Sequence, residues 1–210
     1  MTSSSTTDRA RRVPQQGRSR DKVRRMLDAA DELLAREGAA ALVTTRVAEE
    51  AGVAVGSVYS YFPDKEAIAE ALALRYWSAV TDSIAAVVEE DVRKPLADPV
   101  AAVLYVVAAG FRGSRGFRAL WFSPLRTERV RDATRPLRTK AGASLERLLA
   151  VHWPHAGAGE RTTAARMLVL AGDGLLREAF RLDSDGDPTV LDEGYAMLEA
   201  YLIARLGEAQ

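Results

Sequence analysis

The sequence contains no cysteine, which excludes disulfides, thiolate metal sites and cysteine nucleophiles. Its only histidines are His152 and His155. Pro154 lies between them and takes them off a shared helical face, so they read as a helix end rather than a metal pair. No apolar run reaches the roughly 18 residues that a membrane span needs. The opening MTSSSTTDRARRVPQQGRSR lacks the apolar stretch of a secretion signal. A cytoplasmic protein with no membrane segment, no metal and no cofactor is therefore expected. Alternating apolar and polar runs bounded by turn residues are missing too, so no β-sheet is expected. Net charge is zero over the whole chain but uneven along it. Residues 1–25 hold eight Arg and Lys against two Asp, a surplus of six that the remaining residues offset. Charge alone leaves open whether this basic end meets phosphates or is a solvated tail.

What the chain does have is helical periodicity. Residues 1–18 carry no apolar stripe and are expected to be disordered when free. From about Ser19, the residues Val23, Met26, Leu27, Ala30, Leu33 and Leu34 recur at the spacing of one helix face. Gly38 suits the left-handed position just past that helix. Thr44 or Thr45 is expected to cap a short helix through Ala51, and Gly52 to separate it from a third running from about Val55 to Tyr61. Asp64 suits the cap of a long fourth helix beginning at Lys65 and reaching about Asp91. Further helical patterns cover roughly 98–112, 116–123, 126–152, 160–182 and 188–206.

Two short helices meeting at a glycine, TTRVAEEAGVAVGSVYSYF over 44–62, describe a helix-turn-helix. The second is poor in charge and rich in small or aromatic polar residues, which suits an outer face lying close against a polar partner. AADELLAREG, VTTRVAEEAGVAVGSVY and SYFPDKEAI follow one another as in the TetR (tetracycline-repressor-like) regulators, and residues 20–70 resemble the N-terminal domain of that family. The resemblance implies an all-α fold: a three-helix helix-turn-helix headpiece over 19–64, preceded by the basic arm 1–18, and a six-helix effector-binding and dimerisation domain over 65–210. It implies that Val55, Gly56, Ser57, Ser60 and Tyr61 lie on the recognition helix facing double-stranded DNA. Tyr59 and Lys65 then meet phosphates, and Thr44, Thr45 and Arg46 approach the backbone. Arg46 is equally open to an ion pair with Glu49 or Glu50. Ala54 departs from the family's usual Ser or Thr cap. Val55 and Gly56 have no hydrogen-bonding side chain, which shifts base reading towards thymine methyls and DNA shape.

Two DNA half-sites call for a homodimer. The candidate interface comprises Leu168, Gly172 and Leu175 on one apolar stripe, with Ala164, Ala171 and Ala179, and Leu191, Tyr195, Leu198 and Leu202 on the next. Gly172 and Gly174 suggest close helix approach. The alternative is that both stripes bury into their own subunit. Trp77, Tyr105, Phe111, Trp121 and Phe122 are candidates for the wall of a small-molecule effector pocket, with Arg112, Arg115, Arg118, Arg126 and His152 as possible polar anchors. Nothing points to an enzyme. Asp183-Ser184-Asp185-Gly186-Asp187 lacks the glycine and glutamate positions of a calcium loop, and Gly110, Gly113 and Gly116 sit in a helical pattern rather than after a strand.

Overall fold

Helical periodicity becomes nine α-helices in the computed structural model, which describes residues 6–209, with side chains from residue 17. They are α1 (Thr6–Glu37), α2 (Thr44–Glu50), α3 (Val55–Tyr59), α4 (Lys65–Arg93), α5 (Pro99–Gly113), α6 (Arg115–Trp121), α7 (Glu128–His152), α8 (Ala158–Leu182) and α9 (Pro188–Leu206). No strand occurs among the described residues. A 3-10 turn at Ala39–Ala41, which the apolar pattern does not signal, joins α1 to α2. The first helix starts at Thr6 rather than near Ser19, so part of the basic arm shares its axis. The rest of the arm lies outside the described residues.

Local chemistry explains most helix starts. Asp64, Asp98, Ser114, Thr127 and Asp187 each cap a helix by accepting from the backbone N–H three residues on. Such a cap contributes about 0.5–2 kcal/mol. The two helices of the helix-turn-helix start without one. Their caps are Val43 and Ala54, so neither Thr44 nor Thr45 caps α2. Gly52 sits at φ 63°, a left-handed conformation that costs glycine little and lets α2 and α3 cross steeply.

The core is continuous from headpiece to body. Met26, Leu33 and Leu34 of α1 pack with Val47 and Ala48 of α2, with Val58 and Phe62, and with Ile68 and Leu72 of α4. The same cluster runs on through Tyr76 and Trp77 to Phe111, Phe117 and Trp121. Further along α4, Ile84 and Val88 join Leu145, Leu148 and Leu149 of α7, Leu168 of α8, and Leu198 and Leu202 of α9.

Burial favours the alternative for this stripe, that much of it packs into its own subunit. Ala164, Leu168, Ala179, Leu198 and Leu202 are buried in their own subunit, and Gly172, Leu175, Leu191 and Tyr195 are half-buried there. The Tyr195 hydroxyl is held by Asp98 at 2.7 Å. Close helix approach occurs at a different glycine: a Cβ on buried Gly194 would lie 3.1 Å from Leu175 Cδ1, whereas one on Gly172 or Gly174 would meet nothing within 4 Å. The periodicity identified the apolar faces correctly, but a buried face and a dimer face share one period. On the adjacent, outward faces of α8 and α9, Met167, Leu170, Met197 and Ile203 stand 39–52% exposed, with exposed Gly174, Ala196, Ala200 and Ala204 near them.

Candidate nucleic-acid interface and apolar cavity

The third helix presents an outer face without charge. Val55, Gly56, Tyr59 and Ser60 are exposed, as is Tyr61 just beyond, while Val58 and Phe62 point into the headpiece core. A Cβ on Gly56 would meet nothing within 4 Å, so the backbone here is open to close approach. Two hydrogen bonds tie this face to α1: Lys22 Nζ donates to Ser57 Oγ at 3.1 Å, and the Ser19 and Tyr61 hydroxyls lie 2.9 Å apart. The basic part of α1 therefore runs alongside α3.

Tyr59 and Thr44 form a unit. The buried Thr44 hydroxyl donates to Tyr59 Oη at 3.0 Å. Accepting that bond leaves the tyrosine's own O–H free to donate outward, with the oxygen held in place. Thr44 thus acts on Tyr59 rather than facing outward itself, while Thr45 and Lys65 are exposed. Lys65 opens α4 beside the Asp64 cap, where free backbone N–H groups and an ammonium can share an anion. Arg46 is not free. It makes a two-armed pair with Glu37 at 2.6 and 2.8 Å, across to α1 and not to Glu49 or Glu50 beside it. Arg36 bonds both Glu37 and Glu50. The Arg46 guanidinium, helped by Arg36, holds the Glu37 carboxyl at about 2.

The body encloses a cavity between α4, α5, α7 and α8, with about 770 Å³ of space between atoms, part of it open to solvent. Its wall is formed by Trp77, Val80 and Ile84 of α4, apolar side chains of α5 from Val100 to Phe111, Phe117 of α6, Leu145 and Leu148 of α7, and Leu168 and Leu176 of α8. Among the described residues, Asp173 is the sole ionisable one lining it. Its carboxylate pairs with Arg126 at 3.1 Å, and burial pushes its pKa up against that pairing.

Of the aromatic residues expected at the pocket, Trp77 and Phe111 line the cavity, and Trp121 packs behind it with its ring 5.1 Å from that of Phe117. Tyr105 and Phe122 do not reach it; they are 70% and 41% exposed, on the outer sides of their segments. Among the polar anchors, only Arg126 comes near. Arg112 bonds the Asp185 carbonyl, Arg118 those of Phe111 and Arg112, and His152 bonds buried Asp91 at 2.9 Å. His155 bonds the Leu206 carbonyl, so the two histidines have separate partners.

Cavity and headpiece meet at α6. Gly116 lies against α1 so closely that a Cβ there would come within 2.8 Å of the Asp31 carbonyl oxygen. The next residue, Phe117, lines the cavity. Asp31 also accepts from the Tyr76 hydroxyl and pairs with Arg75 at 3.0 Å, both on α4. Burial and the Asp31 bond together push the Tyr76 pKa up. The sequence pattern gave no sign of this junction beyond a glycine inside a helix.

Known proteins share this fold. The model of the bacterial regulatory proteins of the tetR family matches residues 26–72, and that of the tetracyclin repressor-like C-terminal domain matches residues 78–206. A TetR-family transcriptional regulator from Streptomyces coelicolor is 27% identical, with 88% of this chain and 99% of that one covered at a TM-score of 0.65. The multidrug binding protein EbrR, solved with imidazole, is 25% identical over 85% of this chain and 93% of its own, at 0.62. A TetR-family regulator from Pectobacterium atrosepticum shares the fold at 14% identity and a TM-score of 0.70, over 92% and 98% of the two chains. No curated protein sequence matches.

Proposed function

The chain belongs to the tetR family of bacterial regulatory proteins, a DNA-binding transcriptional regulator and not an enzyme, and from that premise we propose that it acts as a homodimeric repressor which a small, largely apolar effector releases from a palindromic operator. The observation that carries the reading is the adjacency of Gly116 and Phe117, which sets one wall of the cavity directly on the headpiece. An occupant that pushes Phe117 outward must move α6 against α1, or tilt α4 through the Tyr76–Asp31 bond. Either shift alters the headpiece relative to the body, and a ligand that prefers the shifted state favours it by its differential affinity. A coupling of about 1–3 kcal/mol weakens operator binding roughly 5- to 150-fold.

Contact with DNA is assigned to Val55, Gly56, Ser57, Ser60 and Tyr61 for the groove, and to Thr45, Tyr59 and Lys65 for phosphates, with Thr44 positioning Tyr59. The dimer is assigned to the outer faces of α8 and α9 around Met167, Leu170, Met197 and Ile203. Small side chains between these let two copies approach closely. Recognition helices held about 34–36 Å apart then enter successive major grooves.

The test is selection of bound duplexes from a random DNA pool, followed by binding at several salt concentrations. A palindromic consensus is expected, with log affinity falling linearly against log salt as phosphate counterions are released. Binding with no salt dependence, or a consensus without symmetry, contradicts the reading. A promoter reporter assay separates repression from activation.

A further inference from the structure

Among the described residues, four buried N–H groups have no acceptor: Trp77 Nε1, Trp121 Nε1, Arg126 Nε and Arg138 Nε. All four residues line one small cavity, which shares Trp77 and Phe117 with the large apolar one. Trp77 and Trp121 are 6% and 5% exposed. Their indole rings lie under guanidinium groups, Arg138 at 4.7 Å from the Trp77 centroid and Arg126 at 4.2 Å from that of Trp121. Buried donors are nearly always satisfied, and four in one place, with no acceptor, describe a receptor for one.

We infer that this small cavity is an oxyanion subsite: it takes the carboxylate of an amphiphilic organic acid, whose apolar body occupies the large cavity. The inference rests on the effector-binding reading of that cavity and gives its ligand a chemical class. As it stands the small cavity has room for about one water, so a carboxylate must replace that water and spread the surrounding side chains; lone-pair counting favours the exchange. One water accepts two hydrogen bonds, whereas a carboxylate has about four acceptor sites. The charge balance favours it too. Arg126, Arg131 and Arg138 line the subsite, and Arg177 is near enough to bear on Arg126. Against them stands Asp173, which occupies one arm of Arg126; Glu178 is engaged by Arg181. Arg138 makes no ion pair or hydrogen bond among the described residues, only its contact with the indole face. Asp173 sits in the wall of the large cavity while bonding an arginine of the small one, which marks where an acid head would cross.

The experiment is titration calorimetry on the full chain with decanoate and 2-naphthoate, each beside its alcohol, decanol or 2-naphthylmethanol. Tryptophan fluorescence serves as a second readout, since Trp77 and Trp121 flank the subsite. Each acid is expected to bind at least about 10-fold tighter than its alcohol, in line with hydrogen bonds to charged groups. Arg138→Met should weaken the acids about 10- to 100-fold and leave the alcohols unchanged. Asp173→Asn, which removes the competing carboxylate, should tighten the acids. Equal binding of acid and alcohol overturns the inference, as does failure of both acids to bind at millimolar concentration, or an acid affinity indifferent to both substitutions. Opposite effects of the two variants on one ligand cannot come from misfolding. Operator binding is measured on the same preparation; acid binding by a protein without operator affinity overturns the regulator reading alone.

Discussion

Three glycines in helices differ in what a methyl group would meet, and alanine substitution should give three outcomes of different sign. Gly172 lines the large cavity with nothing within 4 Å of its would-be Cβ. Alanine there gains about 0.5–1 kcal/mol of helix stability, and placing one methyl in an apolar cavity adds at most about 0.8 kcal/mol. The sum, about 0.5–1.8 kcal/mol, raises Tm by roughly 1–7 °C in a chain of this size. Gly194 gains the same helix term, but its Cβ lies 3.1 and 3.2 Å from the Leu175 methyls, and overpacking of about 1–3 kcal/mol offsets it. Little change or a small loss is expected. At Gly116 a Cβ would run into the Asp31 carboxylate and also lie 2.8 Å from the Asp31 backbone oxygen, and the second obstacle no rotamer change relieves. Alanine there should cost about 2–3 kcal/mol and lower Tm by roughly 4–12 °C. The assay is calorimetric or circular-dichroism melting at one fixed protein concentration, because dimer stability depends on it. A fall in Tm for Gly172→Ala would refute the reasoning. It would mean that the position faces a close neighbour, as the sequence first suggested, and not an empty space.

Tyr59→Phe removes the outward O–H while keeping the ring, and should weaken operator binding about 5- to 10-fold at fixed salt with only a small change in Tm, read by fluorescence anisotropy. Met197→Arg places charge on an exposed apolar face and should give a folded monomer by analytical ultracentrifugation; a dimer that persists moves the interface elsewhere. Glu37→Gln releases Arg46 from its two-armed pair, so nonspecific DNA affinity should rise and the salt slope steepen by about one phosphate. The same carboxyl is held at about 2 in the folded chain, below its unfolded value of about 4.3. Its contribution is therefore present above pH ~4.3 and fades as pH falls towards 2. Acid unfolding of Glu37→Gln should show a shallower loss over that window.

Helix number and most boundaries were legible because this chain marks them twice, by an apolar stripe and by a polar cap such as Asp64, Asp98 or Asp187. The third helix was legible as well, with its charge-free outer face. Side-chain direction was not. Leu168 and Leu198 share a period with Met167 and Met197 one position away, and periodicity cannot say which of two adjacent faces a subunit keeps for itself. Tyr105 and Phe122 failed as pocket residues for a related reason: aromatic content suggests a cavity wall, but only packing decides which rings turn inward. Arg138 was overlooked because a lone arginine inside α7 resembles any solvated helix residue until its indole partner is seen. The Arg46–Glu37 pair depends on α1 and α2 crossing near Glu37, which the spacing of neither helix reveals.

The meeting of α6 with α1 divides the cavity's walls by the freedom each has to vary. Side chains on α5, α7 and α8 can be exchanged to admit a differently shaped guest without disturbing the headpiece. Position 117 lacks that liberty, because its neighbour rests on the Asp31 backbone, and whatever reshapes one displaces the other. On the effector-binding reading, ligand preference is free to drift along α5, α7 and α8 while the response stays anchored on α6, and relatives with unlike guests can share one trigger.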